Sequence, residues 1–100
     1  MIASFKISDI CTEFMTRQSG KKLRERVIQS IDKGDFILID LENQTLSPSF
    51  ADDSFGKTVS TIGIIKFKKS IKIINTEPSS RSLIIHVVNS RAKELKEVPV

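Results

Sequence analysis

One mainly apolar run, Phe36-Ile37-Leu38-Ile39-Asp40-Leu41, constrains this chain more than any other feature. It does not alternate, so it reads as a strand covered on both faces, typically a central one in a parallel sheet. Gly34 stands just ahead of it, where a left-handed residue would stop a helix. A strand that follows a helix stop so directly suggests a crossover from an earlier parallel strand. Residues 3–8 supply that strand, because Ala3, Phe5 and Ile7 alternate with Ser4, Lys6 and Ser8.

The intervening helix is read over residues 19–33. Leu23, Val27, Ile28 and Ile31 recur at helical spacing, Thr16 or Ser19 can cap the start, and Gly20 could allow a close neighbour. Downstream, Ser47-Pro48-Ser49 offers a helix start, since proline suits a first helical position. Phe50, Ala51, Phe55, Thr58, Val59 and Ile62 then make an apolar stripe that Gly63 ends. Residues 64–70 read as a basic connection, part of it helical, and residues 71–75 as a third core strand. Pro78 admits a last helix over about residues 79–96. Its β-branched centre, residues 83–88, favours a strand, but Ile84, Val88, Ala92 and Leu95 continue one helical stripe beyond strand length. Residues 9–15 stay open between a second short strand and a helical turn. The order β-α-β-α-β-α implies an α/β fold, a small and mainly parallel sheet of roughly three to five strands packed by about three helices. The 100 residues form one domain, with 97–100 read as a loose tail.

Composition narrows the function. A single cysteine, Cys11, cannot form an intramolecular disulfide and suits a reducing compartment. The start, MIASFKISD, lacks the pattern of a secretory signal, and no apolar run is long enough to span a membrane. The expectation is a soluble, cytoplasmic protein. Lys and Arg number 16 against 12 Asp and Glu, and the net charge of +4 suggests an acidic partner at most. Base stacking would have to rely on phenylalanine, because Trp and Tyr are absent.

The residue types of catalysis are present without their patterns. His86, the single histidine, sits among apolar residues of the last helix, and there is no Gly-x-Ser-x-Gly elbow. Cys11 has no CxxC partner, and the glycines form neither a dinucleotide nor a phosphate loop. Asp52 and Asp53 project about a hundred degrees apart on a helix and are poorly placed to clamp one ion. The chain is therefore expected to be no enzyme, with no cofactor and no metal.

The segment FILIDLENQTLSPSFADDSFG, residues 36–56, resembles the STAS-like domain of unknown function. That family carries a buried strand ending in aspartate, a short loop and a Ser-Phe-Ala-Asp-Glu helix start, matched here by Asp40 and Ser49-Phe50-Ala51-Asp52-Asp53. Thr16-Arg17 and Asn75 are similar to further family positions, whereas Asp53 and Leu41 replace a usual glutamate and a frequent phenylalanine. The resemblance implies regulation. Related STAS domains include anti-sigma factor antagonists, which bind a kinase-like ATPase and are switched by serine phosphorylation. Ser49 would match the first of their serine pair, and Phe50 stands at the usual phosphoacceptor position.

The first functional reading is a non-catalytic regulatory module that docks a partner protein, for instance a kinase-like ATPase, through residues 47–53. Arg17, Ser47, Ser49, Phe50, Asp52 and Asp53 form its expected contact set, with Phe50 as apolar anchor if exposed and Ser49 as the candidate phosphoacceptor. The alternative is nucleic-acid binding through a basic patch of Lys21, Lys22, Arg24, Lys68 and Lys69. Homodimerisation stays open.

Overall fold

In the computed structural model, which describes residues 1–97, three strands form one all-parallel sheet in the order β1-β2-β3. They are β1 (Ile2–Lys6), β2 (Phe36–Asp40) and β3 (Ile71–Ile74). Ile2 lies opposite Phe36 in the first pair, and Ile37 opposite Ile71 in the second. The helices are α1 (Arg17–Asp32), α2 (residues 48–62), α3 (Ile64–Ser70) and α4 (Pro78–Glu94). This is the α/β architecture expected of a STAS-like domain. Thr16 caps α1 by accepting from the Ser19 amide. Gly34 and Gly63 adopt the left-handed φ values of 80° and 85° that end their helices.

Several expectations need correction. The central strand is sealed on one face only. Ile37 and Ile39 are fully buried, but Phe36 is 39% exposed and Leu38 and Asp40 are half-buried. Crossovers of one hand that step in one direction across a sheet deposit their helices on the same side. Strand order β1-β2-β3 does this, and Ile2, Ser4, Lys6 and Lys72 are left exposed on the other face. Residues 9–15 add no strand, because Ile7–Asp9 make a 3-10 turn and residues 10–16 are irregular. Residues 64–70 are helical throughout, giving four helices among the described residues. Leu95 falls just beyond α4 and is 43% exposed, so the buried stripe of that helix ends at Ala92. Glu97 is anchored: its amide donates to the Ala92 carbonyl (2.8 Å), and its carboxylate accepts from the Ile64 amide (2.9 Å) at the start of α3. Residues 98–100 lie outside the described residues.

The core gathers Leu23 and Val27 of α1, Ile37 and Ile39 of β2, Phe50, Phe55 and Val59 of α2, and Val88 of α4. Each fully buried side chain of this size contributes about 1.5–3 kcal/mol. At the carboxyl edge of the sheet the loops are tied together. Asp40 accepts from the Glu42 amide (2.8 Å) and from Asn75 Nδ2 (3.0 Å), while Ser8 donates to Glu42. Because the strands are parallel, α1, α2 and α4 all begin at this edge.

Candidate functional site

The start of α2 is held from both sides. Ser47 Oγ accepts from the Phe50 amide (3.0 Å) and donates to the Met15 carbonyl (2.6 Å), with Pro48 in the first helical position. Asp52–Gly56 then widen into a π turn. Ser54 Oγ donates to the Phe50 carbonyl (2.7 Å), and Thr58 Oγ1 to the Ser54 carbonyl (2.6 Å). Phe50 and Phe55, five residues apart, both reach the core, at 0% and 2% exposure. Phe50 packs its ring edge-on against Phe14, with centroids 6.0 Å apart. It is a core residue, and the expected role of exposed apolar anchor falls away.

Two glycines let neighbouring helices approach this turn. A Cβ on Gly20 of α1 would lie 2.7 Å from the Phe50 carbonyl oxygen, and one on Gly56 would lie 2.6 Å from Asp52 Oδ1. The adjacent acids consequently face different helices. Asp53 points to α1, accepting from Arg24 Nη1 (2.8 Å) and Arg17 Nη1 (3.1 Å), with Lys57 Nζ at 3.2 Å. Asp52 points to α4, where Arg91 holds both of its carboxylate oxygens, and Arg17 reaches it at 3.4 Å. Arg17 thus bridges the pair. Burial pushes the Asp53 carboxyl upward, but the bonds from Arg17 and Lys57 and the charges of Lys57 and Arg24 outweigh it and leave it lowered. The Arg91 hydrogen bond holds the Asp52 carboxyl below its ordinary range, against a smaller effect of burial.

This network sorts the expected site residues. The Asp53 side chain is only 5% exposed, and Ser47 is committed to capping. Neither is free to contact a partner. Arg24 is 17% exposed and also donates to the Asp53 carbonyl (2.8 Å), so it drops out of the basic patch. Lys21 and Lys22 remain exposed on α1, and Lys68 and Lys69 on α3. What faces outward is Arg17, at 57%, together with Pro48, Ser49 and one side of Asp52. They line one wall of a groove of about 290 Å³ whose other wall is α4, through Leu83, His86, Val87 and Ser90. The hydroxyl of Ser49 has no hydrogen-bond partner among the described residues.

Sequence reasoning missed Glu13. Its carboxylate accepts from the Met15 amide (2.7 Å), the Thr16 amide (3.1 Å), Thr16 Oγ1 (2.6 Å) and Ser19 Oγ. The Ser19 and Thr16 hydroxyl bonds, then the Met15 amide, pull its pKa down to about 2. An acid three residues ahead of a threonine cap was the available signal. Glu13 fixes the loop that carries Arg17 into the groove.

A family model described as a STAS-like domain of unknown function matches residues 19–81. The match runs from the first turns of α1 into α4, and leaves Arg17, His86 and Arg91 outside it. No curated protein and no solved structure matches the chain. With well over half its length covered, the chain belongs to this STAS-like family.

Proposed function

We propose that this STAS-like domain is a non-catalytic regulatory module that docks a partner protein in the groove between the start of α2 and α4. The observation that carries the reading is the outward pairing of Arg17 and Ser49 beside a helix start whose inward residues, Phe50 and Asp53, are locked in the core. A rigid scaffold presenting a few exposed polar groups suits recognition, because little freedom is lost on docking. Arg17 is well suited to clasp a carboxylate or phosphate, and the family likeness makes a kinase-like ATPase the first partner to test. A phosphate on Ser49 would meet Arg17 favourably and Asp52 unfavourably, so modification would change the charge of the groove. Among the described residues no helix is long and apolar enough to cross a membrane. The buried single thiol of Cys11 fits a cytoplasmic setting.

The test uses substitutions in the groove, because changes at Phe50 or Asp53 would disturb the fold. Ser49→Tyr fills the groove and Arg17→Gln removes its exposed charge without setting a third carboxylate beside Asp52 and Asp53. The wild-type chain, used as bait in a native lysate, should retain a protein that both variants lose while keeping the wild-type circular dichroism spectrum. Equal retention by all three chains would refute the docking site.

A further inference from the structure

We infer that the open edge of β3, with the apolar furrow between β3 and α4, receives an acidic, extended peptide segment as a fourth strand. β3 pairs with β2 alone, so its other side is unpaired. The Ile74 carbonyl accepts from Leu41, toward β2, and in a strand the backbone groups of alternate residues point to opposite sides. The N–H and C=O of Ile73 therefore point outward. The Ile71 amide is already taken by the Phe67 carbonyl, which leaves Ile73 as the docking point of the edge.

Beside this edge lie two adjoining hollows of about 200 and 270 Å³ that share Ile84 and Ile85 of α4. Ile73 lines the first, and Ile71, Phe67 and Val88 the second. Ile85 is 47% exposed there, an apolar side chain that the fold leaves uncovered. A strand laid along β3 would turn alternate side chains into this furrow, as in recognition by strand addition.

Charge identifies the occupant. Arg81 lines one end of the furrow and Lys68 the other, while Lys69 and Lys72 are exposed nearby. None of the four is in an ion pair among the described residues. A second copy of this chain fits poorly, because its own open edge, β1, brings Lys6 and no acid, and its β3 brings the same cations. A peptide alternating apolar and acidic residues satisfies edge, furrow and rim together. The surface is separate from the groove proposed above: Arg81, Ile84, Ile85 and Val88 occupy one flank of α4, and Leu83, His86, Val87 and Ser90 another.

The probe is a fluorescein-labelled synthetic peptide of alternating valine and glutamate, titrated into the full chain by fluorescence anisotropy with amide hydrogen exchange read at Ile73. Binding should occur together with slowed exchange at Ile73. It should weaken by at least about tenfold in the double variant Lys68→Glu, Arg81→Glu and in Ile85→Asp, whose residues are all exposed in the free chain. N-methylation of every backbone amide of the peptide should abolish it, because that removes strand pairing in either direction and keeps the charge. No binding, binding that survives N-methylation, or undiminished binding to the variants would overturn the proposal. Equal competition by a single-stranded oligonucleotide without protection of Ile73 would do so as well, by assigning the cations to phosphate.

Discussion

Arg91 and Asp52 meet through two parallel hydrogen bonds, Nε to Oδ1 at 3.0 Å and Nη2 to Oδ2 at 2.7 Å, joining α4 to the π turn of α2. Both side chains are more than three-quarters covered, at 23% and 22% exposure, so solvent screens the pair only in part. Replacing Arg91 with methionine keeps the stem and removes the fork. The expected loss is about 1–3 kcal/mol of unfolding free energy at neutral pH, measured by urea denaturation. The folded-state pKa of Asp52 is lowered, so this stabilisation is present above its unfolded pKa, about 3.9, and is lost as the pH falls further. The deficit of Arg91→Met should therefore narrow on acidification.

Gly20→Ala tests the approach of α1 to the same turn. Alanine is the better helix former by about 1 kcal/mol, which alone would predict a gain. Its Cβ would nevertheless fall 2.7 Å from the Phe50 carbonyl oxygen and 3.2 Å from the Ser54 amide nitrogen, both backbone atoms that move only with the helix. A net loss of about 1–3 kcal/mol is expected. A thermal midpoint equal to or above that of the parent would contradict it.

Much of this architecture was legible in local signals. Phe36–Leu41, the stops at Gly34 and Gly63, and the Ser47-Pro48 start each act over a few residues, and each fell where expected. The failures concern relations across the chain. Asp53 read as a partner contact at a helix start, because nothing near it in sequence announces Arg24, 29 positions away, or the glycine that brings α1 close. Asp52 likewise finds Arg91 at a separation of 39. The open face of β2 was hidden for a similar reason, since an apolar run does not reveal that all the helices lie on one side. The groove was half legible: Arg17 and Ser49 were in the expected set and do face it, whereas Phe50, in the same set, is buried at 0% exposure.

Adjacent residues at the start of α2 should respond in opposite ways. Phe50→Ala removes a fully buried ring and should destabilise by about 3–5 kcal/mol. Ser49→Ala deletes a hydroxyl without a partner among the described residues, and its effect should stay within about 0.5 kcal/mol. Equilibrium denaturation of the two variants side by side checks the contrast. A mild Phe50→Ala would mean that the helix turns its other side to the core.

Glu13 supplies the last prediction. Its carboxylate gathers four donors just ahead of α1, and its folded pKa of about 2 lies well below the unfolded value near 4.3. A depressed carboxylate contributes stability that is complete above the unfolded pKa and lost as the pH falls through the folded one. Glu13→Gln should accordingly be less stable than the parent at neutral pH, and the difference should shrink steadily between about pH 4 and pH 2. Arg17 depends on this loop for its position, so the parent should also lose order around Thr16 and Arg17 over the same interval. Amide chemical shifts of Met15 and Thr16, followed through the titration, report both events. Shifts that move with a midpoint near 4 instead of 2 would show that the four donors do not converge on Glu13 in solution.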